Sequence, residues 1–229
     1  MTQAENSIEV YLEVGKKKTI AGAVAWPGWC RVGRKEEDAL AALVAYGERY
    51  GRVLDGTALE LRPPADVSEL VVVERLEGNA TTDFGAPDMT PTADEQPIDE
   101  AEHQRLQAVL TACWQAFDKA VEAAEGKTLR KGPRGGGREL EGIVEHVLEA
   151  ERSYLSALGW KYRRDESAGL QEALHQCQTA VLEGLEAAVR GEIAAEGPRG
   201  GKRWLPRYFV RRVAWHVVDH VWEIEDRVE

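Results

Sequence analysis

Two histidines stand four residues apart near the end of the sequence, at His216 and His220. Side chains with this spacing lie on one face of an α-helix with Cβ atoms roughly 6 Å apart, close enough to hold one metal ion. A third histidine, His146, has the matching place in a repeated phrase, because VEHVLEAE at 144–151 and VDHVWEIE at 218–225 are identical at five of eight positions. These residues predict a three-histidine metal site, with His146 supplied by a facing helix.

Three carboxylates accompany these histidines at helical spacing. Glu149 follows His146 by three residues, as Glu223 follows His220, and Asp219 lies within the histidine pair. A carboxylate one turn from a ligand histidine can accept the N–H of the second ring nitrogen, which fixes the tautomer and raises the basicity of the ring. Glu149, Asp219 and Glu223 are therefore interpreted as groups that orient the ligands. An alternative uses Glu149 and Glu223 as direct ligands of two adjacent ions.

The chemistry of such a site follows from its ligands. Three neutral imidazoles leave a divalent ion its full charge and at least one open position. The ion lowers the pKa of a bound water to about 7 or deprotonates a bound thiol, so a hydroxide or a thiolate nucleophile results. The residue types do not distinguish a hydroxide from a thiolate nucleophile. Imidazole ligands also suit zinc, nickel and iron alike. No residue is assigned a direct catalytic role.

Other conspicuous residues receive structural interpretations. The isolated histidines, His103 and His175, are interpreted as solvated or structural. The tryptophans near the last helix are interpreted as packing residues: Trp204, Trp215 and Trp222. The phrase GPRGG occurs at 132–136 and 197–201, each time upstream of a copy of the repeated phrase. Such a loop could cradle an anion before a helix start, but a flexible connection between helices is its more frequent use.

Hydrophobic periodicity indicates the elements that position these residues. In the second half of the sequence, apolar side chains recur every three to four residues in four segments, which predicts amphipathic helices over 99–125, 138–158, 167–190 and 205–228. Four such helices with connections of roughly ten residues predict an all-α up-down four-helix bundle for this part.

The N-terminal part has a different pattern. Residues 7–14 and 19–26 are predicted strands on either side of a turn, residues 36–50 have helical spacing, and residues 70–76 form a further strand. This pattern predicts a small α/β module. The fold class expected for the whole chain is therefore α+β.

Charge divides the chain in the same way. The formal net charge is −11, yet residues 1–62 hold 9 basic and 9 acidic side chains, whereas residues 63–102 hold 1 and 11. The stretch with the excess acid is also rich in Thr, Pro and Gly, which is typical of a solvated connection. We therefore expect domains at 1–80 and 99–229, joined by an acidic linker at 81–98.

Composition excludes several classes of protein. No stretch approaches the roughly 18 uncharged apolar residues of a membrane span, and the first residues do not resemble an export signal. Three separated cysteines indicate neither disulfides nor a cysteine-ligated zinc site. Balanced charge at the N-terminus and an acidic stretch after it disfavour binding to nucleic acid. We expect a cytoplasmic protein with a small-molecule or thiol partner, and leave a homodimer open.

The run WPGWCRVGRKEEDALAALVAYGERY at 26–50 resembles the signature of HicB-type antitoxin partial domains. The shared features are a Pro-Gly-Cys turn, a glycine and an acidic helix start. The resemblance implies a HicB-like module at 1–80. HicB antitoxins usually carry a separate DNA-binding element after this module, and none is recognisable in the sequence.

Residues 99–229 resemble the DinB/YfiT-like family of metal-binding four-helix bundles, in which the second helix supplies one ligand histidine and the fourth an HxxxH pair. The resemblance places the ligands at His146, His216 and His220. The family is similar in fold to mycothiol-dependent maleylpyruvate isomerases and bacillithiol transferases, whose metal engages a low-molecular-weight thiol. It implies a metal-dependent enzyme of thiol-transferase or hydrolase type. The alternatives are a non-catalytic interaction protein with a structural metal and a di-metal carboxylate bundle.

Overall fold

A computed structural model of the chain describes residues 7–131 and 137–229. The protein is mixed α+β, with a four-stranded sheet near the N-terminus and seven α-helices in the described part of the chain. It divides into two compact units between Pro97 and Ile98. The first GPRGG phrase, at 132–136, lies outside the described residues.

The sheet of the first unit has the strand order β3-β2-β1-β4. Its strands are β1 (Ile8–Val14), β2 (Thr19–Ala23), β3 (Cys30–Gly33) and β4 (Leu70–Glu77). The predicted hairpin is present, since β1 pairs antiparallel with β2, while β2 also pairs antiparallel with β3 and β1 pairs parallel with β4. The sequence did not indicate β3, because four residues without alternation are too short to show a period of two.

Two helices replace the single helix predicted over 36–50. They are α1 (Glu36–Ala45), which contacts β2 and β3, and α2 (Gly47–Val53). The helix is interrupted at Tyr46, whose backbone leaves helical geometry at φ −98° and ψ 0°.

The segment predicted to be an acidic linker contacts the sheet of the first unit. It includes part of α3 (Ala80–Phe84). The carboxylate of Glu13 on β1 is buried, and it accepts hydrogen bonds from the hydroxyl of Thr82 and from the backbone N–H groups of Asp88 and Met89, the last two at 2.9 and 3.1 Å. These long-range hydrogen bonds hold the segment against β1, so residues up to Pro97 belong to the first compact unit.

The second unit contains the four long helices predicted from periodicity, which are confirmed. They are α4 (Glu100–Ala124), α5 (Leu140–Leu158), α6 (Leu170–Val189) and α7 (Pro206–Arg227). Asp99 begins α4 by accepting a hydrogen bond from the backbone N–H of Glu102 at 2.8 Å, and Gly159 ends α5 at a φ of 99°. Helix α7 contacts α4, α5 and α6, so the two copies of the repeated phrase lie on contacting helices.

The second GPRGG phrase forms a closed turn before α7. The backbone N–H of Gly197 donates to the carbonyl of Gly201 at 2.8 Å, and that of Gly200 donates to the carbonyl of Gly197 at 2.9 Å. Because these two donors are used inside the turn, they do not cradle an anion. In the described ranges, 7–131 and 137–229, no helix combines the length and the apolar character that crossing a membrane requires.

Candidate metal centre

Helices α5 and α7 bring the three predicted histidines together. His216 and His220 are each 8% exposed on the inward face of α7, beside the buried Val213 and Val217, and His146 lies part-buried on α5. Nε2 of His216 is 3.2 Å from Nε2 of His146 and 3.3 Å from Nε2 of His220. The candidate ligand atoms of all three lie within 4.8 Å of one another.

These separations fit a metal site. Nitrogen ligands about 2.0–2.1 Å from a tetrahedral ion lie about 3.3 Å from each other, which is close to the N···N distances of both histidine pairs. The same Nε2 atom of each ring faces the cluster, which no sequence pattern specifies. The residues present therefore fit a divalent transition ion held by three imidazoles.

Glu223 sets the tautomer of His220. Its carboxylate lies 2.7 Å from Nδ1 of His220 and also accepts a hydrogen bond from Arg227 at 2.5 Å. The hydrogen bond with His220 is the main cause of a lowered pKa for Glu223, so this side chain is ionised at neutral pH. Because an ionised carboxylate can only accept, a proton lies on Nδ1, and Nε2 is the ring nitrogen that faces the other histidines.

His216 and His146 are held in the neutral form that a metal requires. Burial lowers the pKa of His216 well below its usual value, and the neighbouring His220, His146 and Arg212 add to the effect. Burial also lowers the pKa of His146, with a contribution from the charge of Arg138. Neutral imidazoles offer lone pairs to a cation without first losing a proton.

Protons alone satisfy this cluster poorly. Nε2 of His216 lies within hydrogen-bond distance of two other ring nitrogens, those of His146 and His220. A proton on Nε2 of His216 must be shared between these two nitrogens. A cation at the centre would interact favourably with all three lone pairs.

The structure separates the three predicted carboxylates. Glu223 contacts His220, as expected. Glu149 instead accepts a hydrogen bond from Arg152 at 2.6 Å, lies 3.8 Å from Arg164 and has a side chain that is 48% exposed, and it makes no described contact with His146. Asp219, which lies between His216 and His220 in the sequence, is half-buried on α7.

A group of aromatic side chains and one arginine beside the cluster was not assigned to the site from the sequence. The ring of Tyr154 lies 5.8 Å from that of His216 between centroids, and the ring of Trp204 lies 5.2 Å from that of Tyr154. The guanidinium of Arg212, one turn before His216, lies among these rings. The feature of the sequence that could have indicated this group is Arg212 itself, a basic residue four positions before the HxxxH pair.

The remaining histidines lie outside the cluster. His103 is buried on α4, and His175 is exposed on α6 with Nε2 3.4 Å from the carboxylate of Asp118. Both positions agree with the structural interpretation given to these residues.

Comparison of the chain with protein-family models, with curated proteins and with solved structures gave no match.

Proposed function

We propose that residues 99–229 form a DinB-like up-down four-helix bundle that binds one divalent transition metal, zinc, nickel or iron, through His146, His216 and His220. The protein is a metal-dependent enzyme of thiol-transferase or hydrolase type, and its first unit is a HicB-like module. The observation that carries the proposal is the convergence of the three Nε2 atoms, two pairs of which are 3.2 and 3.3 Å apart.

The number of ligands supports a catalytic role over a structural one. In the part of the chain that the structure describes, the cluster contains three residues able to bind a metal, all of them histidines. Structural zinc sites are closed by four protein ligands, whereas catalytic sites use three and keep a position for water or substrate. His146 is only part-buried, which leaves a route from solvent to the cluster.

Each side chain of the site has a separate task. The metal, when bound, would supply a Lewis acid that lowers the pKa of a water or thiol bound to it. Glu223 keeps a proton of His220 on Nδ1, so Nε2 is the nitrogen that would bind the metal. Arg227 donates to the other oxygen of Glu223 and thereby holds this carboxylate in place.

The di-metal alternative is poorly supported by the positions of its two carboxylates. Glu149 is paired with Arg152 on the exposed side of α5, and both oxygens of Glu223 have partners, one at His220 and the other at Arg227. Neither carboxylate is free to bridge two ions. One ion for each chain is therefore proposed.

The first test is elemental analysis of the full-length protein purified without an affinity tag. We expect about one equivalent of transition metal for each chain, lost in the His216→Ala, His220→Ala double variant and retained in His175→Ala. The His175 variant is the matched control, because it also removes a histidine but lies outside the cluster. Metal content that is equal in all three proteins would place the metal elsewhere.

A second measurement tests the open position and separates the enzyme from the interaction protein. Cobalt(II) is exchanged into the full-length protein and its visible spectrum is recorded before and after addition of 2-mercaptoethanol. An open three-histidine site binds the thiolate, so the spectrum should change and a new charge-transfer band should appear. A spectrum unaffected by thiol and by azide would indicate a closed, structural site.

A further inference from the structure

Arg212 is a buried cation without a counter-ion in the described residues. The residue is 7% exposed, and its Nε and Nη1 atoms are shielded from solvent without a hydrogen-bond partner. Buried arginines normally pair with a carboxylate or donate to carbonyl groups, because removing the guanidinium from water is unfavourable. Arg211, the adjacent residue, is also buried and has interactions of its own.

Three aromatic rings surround the guanidinium. Its Cζ atom lies 5.1 Å from the ring centroid of Trp215, 5.5 Å from that of Tyr154 and 5.8 Å from that of Trp204. Trp204 is held there because its backbone N–H donates to the carbonyl of Ala157 at the end of α5, at 3.0 Å. Cation–π contacts offset part of the desolvation of the guanidinium, but they leave its N–H donors unused.

The position of Arg212 links it to the three-histidine cluster. It stands four residues before His216 on α7, which puts the two side chains on the same face of the helix. The ring of Tyr154 contacts His216 as well as Arg212. The charge of Arg212 is also among the causes of the lowered pKa of His216, as expected for neighbours. A group bound to Arg212 would therefore lie beside the cluster.

We infer that Arg212 binds the carboxylate of an organic acid substrate, which lies beside the three-histidine cluster with its apolar part against Tyr154, Trp204 and Trp215. This inference names the substrate class of the proposed metal enzyme and rests on that function. The planar guanidinium can present two parallel N–H donors to a carboxylate. One buried positive charge balances one carboxylate, whereas a phosphate dianion would require further donors.

The test is a calorimetric titration of the full-length protein, with and without zinc, using benzoate as the probe. Benzamide serves as the neutral analogue of the same shape, and inorganic phosphate as the other anion. We expect benzoate to bind about tenfold or more tightly than benzamide, since hydrogen bonds to charged groups have an effect of this order. Equal affinities for benzoate and benzamide, or a preference for phosphate over benzoate, would overturn the inference.

Variants assign the binding to the guanidinium. Arg212→Gln should weaken benzoate binding about tenfold or more, and Arg212→Lys should give an intermediate affinity because the charge remains but the two-donor fork is lost. Arg190→Gln is the matched control, because Arg190 is an exposed arginine paired with Glu186. An equal loss of affinity in the Arg190 and Arg212 variants would show a non-specific charge effect and contradict the inference.

A stability measurement distinguishes a binding role from packing and remains informative if Arg212→Gln folds poorly. Arg212→Met fills a similar space without a charge, so we expect a melting temperature equal to or above that of the wild type, together with loss of benzoate binding. A lower melting temperature with unchanged benzoate binding would make Arg212 a packing residue and overturn the inference.

Zinc content measured in the same samples separates the two proposals. Benzoate binding that depends on Arg212 in a protein unable to bind zinc would support the carboxylate site and contradict the metal centre. Zinc bound through the three histidines without any preference for benzoate over benzamide would leave the metal centre standing and overturn the carboxylate site.

Discussion

The carboxylate of Glu223 lies 2.7 Å from Nδ1 of His220, one turn earlier on the same helix. Its second oxygen is paired with Arg227, which also donates to the carbonyls of Arg130 and Arg138 at 2.9 and 2.8 Å. The orientation of the His220 ring is therefore connected through Glu223 and Arg227 to two points, Arg130 and Arg138, in the connection between α4 and α5. This arrangement fixes which ring nitrogen faces the cluster.

Removal of the Glu223 carboxylate should weaken metal binding without removing a ligand. We expect Glu223→Ala to raise the zinc dissociation constant about 10- to 100-fold, because the His220 ring loses the acceptor that fixes its tautomer. The measurement is competition with a chromophoric chelator. Glu149→Ala is the control, since Glu149 has the same spacing to His146 but pairs with Arg152. Equal effects of the two substitutions would contradict the role given to Glu223.

Zinc should stabilise the folded protein through the cluster. A ligand that binds only the folded state at a free concentration 100 times its Kd adds about 2.7 kcal/mol, which corresponds to a rise in melting temperature on the order of 5–10 °C for a unit of this size. We expect this rise when zinc is restored after chelation, in the wild type and in His175→Ala. The His216→Ala, His220→Ala double variant should show no rise, and an equal shift in all three proteins would indicate zinc bound elsewhere.

The buried Glu151 should make stability depend on pH. Its side chain is 0% exposed and accepts a hydrogen bond from Nε1 of Trp114 at 2.7 Å, and burial raises its pKa to about 8. Because this pKa lies above the usual value of 4.5, the folded state keeps a proton that the unfolded state loses. The stability that this protonation contributes is fully present below about pH 4.5 and is lost as the pH rises through about 8.

The substitution that tests this is Glu151→Gln, which keeps an acceptor for Trp114 but cannot ionise. We expect little difference from the wild type near pH 5 and a free energy of unfolding on the order of 3 kcal/mol higher in the variant at pH 9. Urea denaturation between pH 5 and 9 measures both, with the exposed Glu122→Gln as control. Parallel curves for wild type and Glu151→Gln would show that Glu151 ionises normally in the folded protein.

Much of the second unit could be predicted from the sequence because its signals are local. Helix bounds follow from apolar periodicity, and the HxxxH spacing places His216 and His220 together without any knowledge of tertiary structure. The repeated phrase also assigned His146 correctly to the cluster. Helical spacing could not show which of the equivalent carboxylates, Glu149 or Glu223, contacts its histidine. That contact depends on which arginine lies near each carboxylate in the folded protein.

The features that escaped prediction depend on contacts between distant residues. The sequence of residues 81–98 predicted a solvated linker, because the hydrogen bonds of Thr82 and Asp88 depend on one buried carboxylate, Glu13, some 70 positions earlier. The sequence shows a basic residue at Arg212 but not that it is buried. Its burial depends on the segment before α7, which contacts the end of α5 and packs Trp204 against Tyr154. Neither relationship has a periodic signal.

The second unit should fold and bind metal by itself. Its four helices bury their own large side chains, including Leu110, Phe117, Leu148 and Phe209. We expect residues 98–229 expressed alone to unfold cooperatively and to bind zinc with the affinity of the full chain, as measured by circular dichroism and chelator competition. A fragment without cooperative unfolding would mean that the two units depend on each other for stability.

The full chain should show no appreciable affinity for DNA near physiological salt, because its charges do not favour phosphate.

The most direct test of the three-histidine metal centre is anomalous X-ray diffraction at the zinc edge from crystals of the full-length protein grown with zinc. We predict one anomalous peak enclosed by Nε2 of His146, His216 and His220, at about 2.0–2.1 Å from each nitrogen. An empty cluster at saturating zinc, with the three rings hydrogen-bonded directly to one another or the peak bound to other residues, would contradict it.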